Sequence, residues 1–177
     1  PSQTGADNTI LTYTVTVNNT GNVTDNYTLT DNDNAGWGPG LSKTSVVVPA
    51  FSSDNTTILS VTIPSNAMGG TIDNIRVTAT GTGDNGSASC TAQVTIARSV
   101  SVSITPPSQT GADNTTLTYT VKVTNTGNVS DNYTLTDNDN AGWSPGLSKT
   151  SVVVPAFRSD NTTIISVTIP SNAMGGT

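Results

Sequence analysis

Whatever chemistry this chain could do would fall to its acids: all twelve are Asp, with no Glu and no His, and Lys plus Arg number six. The tract Asp31-Asn32-Asp33-Asn34-Ala35-Gly36 opens like a calcium loop, with oxygen ligands at its first and third positions and Gly at its sixth. It then departs from that pattern. Ala35 stands at the fifth ligand position, and Ser42 stands at the twelfth, where a bidentate Glu belongs. A second tract, Asp137-Asn138-Asp139-Asn140, departs in the same way at Ala141 and Ser148. Ca²⁺ needs about six or more oxygens, so a polar turn between strands is the preferred reading and no cofactor is expected. Asp31, Asp33, Asp137 and Asp139 remain the Ca²⁺ candidates, with Asp7 and Asp25 as supplements in space.

Catalysis finds little to use. Without His there is no His-dependent acid–base chemistry and no histidine metal site. No Ser or Cys has an evident base, no carboxylate pair has surroundings that would raise one pKa, and a Gly-rich phosphate loop is missing. The chain is expected not to be an enzyme. Cys90, the single cysteine, lies in Ala88-Ser89-Cys90-Thr91-Ala92-Gln93-Val94-Thr95-Ile96 on the apolar face of an alternation. It reads as a buried small hydrophobe, with an intermolecular disulfide as the alternative. Trp37 and Trp143 offer either sugar-stacking platforms or caps on the core, and capping is preferred.

Nine Asn-x-Ser/Thr acceptors occur, at Asn18, Asn22, Asn26, Asn55, Asn85, Asn114, Asn128, Asn132 and Asn161. They fall on turns or outward strand positions, where a glycan could attach. Occupancy is expected in a eukaryotic or archaeal secreted protein and not in most bacteria. Glycans are therefore one class of partner. The net charge of −6 argues against nucleic acid or an anionic membrane, and no apolar run is long enough to insert in a bilayer.

The frame that must position these residues is a repeat. Pro1–Thr71 return as Pro107–Thr177 at an offset of 106 residues, with seven differences: Ile10/Thr116, Thr16/Lys122, Asn18/Thr124, Thr24/Ser130, Gly38/Ser144, Ser52/Arg158 and Leu59/Ile165. Each copy is one ordinary domain long. Residues 1–98 are expected to form one module lacking its first strand, and residues 99–177 a second lacking its last strands. Either further modules flank this stretch, or each end leaves a strand vacancy that another chain fills.

Alternation in Leu11-Thr12-Tyr13-Thr14-Val15-Thr16-Val17 marks a strand with one apolar face. Further strands are expected around Tyr27 and Leu29, Val46–Val48, Leu59–Ile63, Ile75–Ala79, Ala88–Ile96 and Val100–Ile104. About seven short strands per module predict an all-β fold of tandem immunoglobulin-like antiparallel β-sandwiches. From Ala88 to Ile104 the alternation keeps its phase, without Gly or Pro. One strand is thus expected to run almost directly into the next, making a stiff array.

The stretches Leu11–Asn22, Asn34-Ala35-Gly36-Trp37 with Leu41-Ser42, and Val61–Thr71 resemble the Ig-like repeat domain of secreted bacterial and archaeal proteins, related to the module that accompanies the NPCBM carbohydrate-binding domain. The resemblance covers the whole repeat. It implies a spacer or surface repeat without catalytic residues. The Asn richness and the Asp31–Asn34 tract depart from it. The expected function is a structural segment of an extracellular, cell-surface filament whose partners are copies of itself, with Val100, Val102 and Ile104 as the inter-module or donor strand. A rigid stalk carrying an adhesin or enzyme is the alternative, and a carbohydrate-binding module ranks behind both.

Overall fold

A computed structural model describes residues 1–174. Among them every regular element is a strand, so no helix is long and apolar enough to cross a membrane. Two compact units, Pro1–Ile96 and Ala97–Thr177, each fold as an immunoglobulin-like β-sandwich module.

Unit 1 begins with β1 (Ser2–Gly5), β2 (Ile10–Asn19), β3 (Asp25–Asp33), β4 (Gly40–Leu41) and β5 (Ser45–Val48). It continues with β6 (Ser52–Thr62), β7 (Ile72–Thr80) and β8 (Asn85–Val94). One sheet has the order β1-β8-β7-β3-β5 and the other β2-β6-β4. Pairing is antiparallel except that β1 lies parallel to β8. The alternation in β2 does what its pattern requires: Leu11, Tyr13 and Val17 are buried while the threonines between them face water. Leu11 and Tyr13 stand opposite Val61 and Leu59 of β6. Ile75, Val77, Cys90, Ala92 and Val94 of the facing sheet close this part of the core. Trp37 packs against that cluster from its edge, the capping role expected of it. Cys90 is free and buried.

Between Val15 and Val17 the register with β6 slips by one residue. This bulge is held by Asp54, whose Oδ1 accepts the Thr56 N–H at 3.1 Å. Unit 2 repeats the device with Asp160 and Thr162 at 3.0 Å.

Unit 2 contains β9 (Val100–Thr105), β10 (Thr116–Asn125), β11 (Asp131–Thr134), β12 (Gly146–Leu147), β13 (Ser151–Val154) and β14 (Ser159–Thr168). Its sheets have the orders β12-β14-β10-β9 and β11-β13. Val121, Val123, Val152 and Val154 form its core.

Three features differ from the sequence expectation. β1 has no apolar alternation, since Ser-Gln-Thr-Gly is held by its backbone ladder to β8. The two strands expected between Ala88 and Ile104 do not run almost directly together, because residues 95–99 separate β8 from β9. Residues 97–99 leave the strand path because they bond to the turn after β10: the Ala97 N–H donates to Asn128 Oδ1 at 2.8 Å, and the Thr126 and Gly127 N–H groups donate to the Ser99 carbonyl at 3.0 and 3.2 Å. At the ends of the expected β8 run, Ala88 and Ile96 are exposed, leaving Cys90, Ala92 and Val94 as the inward set.

A buried side chain locks the turn that follows β2. Asn19 donates through Nδ2 to the carbonyls of Val23 and Val48, both at 2.9 Å, and its Oδ1 accepts the Gly21 N–H at 2.9 Å. Asn125 makes the same three bonds in unit 2. Asn19→Ala removes all three and strands two buried carbonyls, so a loss of about 2–4 kcal/mol is expected in urea unfolding. The exposed Asn22→Ala should stay within about 0.5 kcal/mol of wild type. Equal effects from the two substitutions would show that the anchor is dispensable.

Candidate functional site

Of the aspartates that looked chemically promising, Asp33 and Asp139 staple turns. Asp33 Oδ2 accepts the N–H groups of Trp37 and Gly38 at 2.5 and 3.2 Å. Ala35 N–H donates to Asp73 Oδ1 at 3.1 Å, and Asn74 N–H donates to Asn34 Oδ1 at 2.7 Å. Together these bonds dock the 34–38 loop on the start of β7 and set Trp37 against the core. The supplementary acids hold other turns: Asp7 Oδ2 accepts Asn66 N–H at 2.9 Å, and Asp25 accepts the Thr82 N–H and Oγ1–H at 2.8 and 2.9 Å. In unit 2 Asp137 is exposed, and Asp139 accepts the Gly142 N–H at 2.7 Å. Among the described residues no group of three or more His, Cys, Asp or Glu side chains converges to hold a metal ion.

Asp73 was not singled out in the sequence, because a lone Asp opening a strand looks like solvent-facing punctuation. It is fully buried, and its Oδ2 has no hydrogen-bond partner among the described residues. Burial pushes its carboxyl above the ordinary carboxylate range; the Ala35 N–H opposes that rise and the Asp33 charge adds to it. Burial, followed by the charge of Asp33, likewise raises Asp31.

Eight of the nine glycan acceptors are exposed: Asn18, Asn22, Asn26, Asn55, Asn85, Asn114, Asn132 and Asn161. Asn128 is the correction. It is 6% exposed, its Oδ1 accepts the Ala97 N–H, and its N–H donates to the Ala97 carbonyl at 3.0 Å. The incoming 97–99 segment covers it, which a local Asn-x-Ser pattern does not reveal.

A cleft in unit 1 runs along one edge of β2. On its other edge β2 pairs with β6, and among the described residues no strand pairs with the edge toward β8. A groove of about 330 Å³ lies there, walled by Val15, Val17 and Tyr27 on one side and by Val77, Ala79 and Ala88 on the other. A hollow of about 90 Å³ continues it toward Tyr13 and Cys90. Another of about 480 Å³ continues it toward Asn19 and Thr82. From Tyr13 to Asn19 this edge runs about 20 Å at 3.3 Å per residue. That is the length of one strand.

In unit 2 the matching edge is filled. β9 pairs antiparallel with β10, setting Ile104 opposite Val121, Val102 opposite Val123 and Val100 opposite Asn125. The three apolar residues expected to form an inter-module strand therefore lie on a first strand, on the same face as the core of their partner. Val121 is 5% exposed under this strand, whereas its counterpart Val15 is only half-buried.

No family model matches the chain, and no curated protein matches it. Among solved structures the chain is similar to one described as the Class 5 fimbriae chaperone CfaA, at a TM-score of 0.36 and 13% identity over 91% of this chain and 82% of that one.

The buried carboxyl yields a pH prediction. Because the folded state holds Asp73 above its unfolded pKa, the stability linked to its proton is present below the unfolded value and is lost as pH rises through the folded one. Asp73→Asn keeps an acceptor for Ala35 without the charge. It should melt a few degrees above wild type at pH 7, with the gap closing toward pH 3. A gap that widens as pH falls would refute the assignment.

Proposed function

We propose that this chain is a non-enzymatic structural segment of an extracellular, cell-surface filament, in which near-identical Ig-like modules act as repeated building units and the partners are copies of itself. The observation that carries this reading is where the two copies differ. Of the seven differing positions, only Leu59/Ile165 involves a buried side chain, and that exchange nearly conserves volume. The turn anchors Asn19 and Asn125, the bulge staples Asp54 and Asp160, and the left-handed Phe51 and Phe157 recur in register. This is the pattern of a unit kept for its shape. The reading is also supported by the employment of Asp7, Asp25, Asp33, Asp54 and Asp73 in holding turns. Resemblance of the motifs to the secreted Ig-like repeat domain points the same way.

A second reading is a rigid stalk that holds an adhesin, surface-layer domain or carbohydrate-active enzyme away from the cell. The linking sequence favours it as much as the filament: the span from Thr95 to Ser99 has no Gly and no Pro. Thr95 N–H bonds to Gly5 within unit 1, and Ala97 N–H bonds to Asn128 within unit 2. In either setting glycans on the eight exposed acceptors would coat the outer faces and hinder proteolysis.

Negative-stain microscopy of the native material separates these readings. Continuous fibres are expected. Discrete rods would favour the stalk, and compact isolated particles would refute both.

A further inference from the structure

We propose that the buried carboxyl of Asp73 carries a proton that it donates to the carboxylate of Asp33, and that this bond makes the docking of the 34–38 loop proton-dependent. The Trp37 loop is then a clasp that is closed at low pH and loosens as pH rises.

Register brings the two acids together. Asp33 stands opposite Ile75 in the β3–β7 ladder, and Asp73 precedes Ile75 by two residues. Period two puts both acids on the inner face as diagonal neighbours, about 7–8 Å apart. Their carboxyls meet within hydrogen-bonding reach. Each acid already gives one oxygen to the loop: Asp73 Oδ1 accepts the Ala35 N–H at 3.1 Å, and Asp33 Oδ2 accepts the Trp37 N–H at 2.5 Å. The other Asp73 oxygen is unpartnered, on a residue with no exposed surface. Two ionised carboxylates can only accept. One proton supplies the donor that this pair lacks.

The surrounding charges favour the same proton. Burial, foremost, and the charge of Asp33 disfavour ionised Asp73, and the N–H groups of Ala35 and Asn34 offset this only in part. Asp31 lies on the same face of β3, opposite Val77. Tyr13 and Cys90 face the site from β2 and β8 and feel the Asp73 charge. The Pro1 amine acts on Cys90 and is not among the influences on Asp73. No Lys or Arg compensates the pair: Arg76 Nη2 donates to Ser87 Oγ at 2.7 Å on the outer face, and Lys43 is engaged by Thr56.

Loss of the proton leaves two negative charges facing each other where water is excluded. Both are tied to the loop through the Ala35 and Trp37 N–H groups, so separating them moves the loop. Trp37 then leaves the edge of the core cluster it packs against. Because folding raises the Asp73 pKa, the closed clasp is complete below the unfolded value and is lost as pH rises through the folded one.

The test is acrylamide quenching of Trp37 from about pH 3 to pH 9, in the full chain carrying Trp143→Phe so that one indole remains, with circular dichroism alongside. Quenching should rise about twofold with pH while the strand signal stays constant. Asp73→Asn, whose amide donates to Asp33 without titrating, should keep Trp37 shielded throughout. Asp33→Asn should move the transition to lower pH, since the charge opposing ionised Asp73 is gone. Quenching indifferent to pH, a transition that persists in Asp73→Asn, or a midpoint unmoved by Asp33→Asn overturns the proposal. So does loss of the strand signal at the same midpoint, which is global unfolding. Shielding restored at high pH by millimolar Ca²⁺ would assign the site to a cation and overturn it too. None of these outcomes depends on whether the modules form fibres.

Discussion

A β-strand offers hydrogen-bonding groups along two edges, and β2 and β10 each satisfy one of them through β6 or β14. What happens at the second edge governs much of the rest. Where β9 fills it, in unit 2, the valine beneath is sealed, the following turn is covered and Asn128 is buried. Where it is free, in unit 1, the same sequence leaves a strand-length cleft, a half-buried Val15 and an exposed Asn22.

The acidic side chains of the modules are put to structural use. Their carboxylates are short-range fasteners that accept backbone N–H groups in turns, as Asp33 does for Trp37 and Asp54 does for Thr56. Two such bonds hold Asp25 and Asp54 below the ordinary carboxylate range, chiefly through the N–H groups of Thr82 and Thr56. Asp73 is the opposite case: one oxygen serves Ala35 while the other is buried without a partner. Asp33, Asn34 and Asp73 together clasp the Trp37 loop.

Much of this could be seen in the residues alone. The all-β class, the repeat and the inner faces of β2, β6 and β7 follow from period-two alternation, which the sheet enforces wherever one face is buried. Strands without that signature could not be read. β1 is polar and glycine-ended, recruited by backbone pairing with β8, and β4 is two residues set by its neighbours. Asn19 looked like any turn asparagine until its three bonds placed it in the core. The acceptor pattern at Asn128 could not reveal burial imposed by residues some thirty positions earlier.

The most direct test of this account is amide hydrogen exchange of the full chain in dilute solution, read residue by residue in β2 and β10. The amides of residues 14–19 that point away from β6 should exchange rapidly. Their counterparts in 120–125, facing β9, should be protected in dilute solution. Equal protection of the two edges would contradict it.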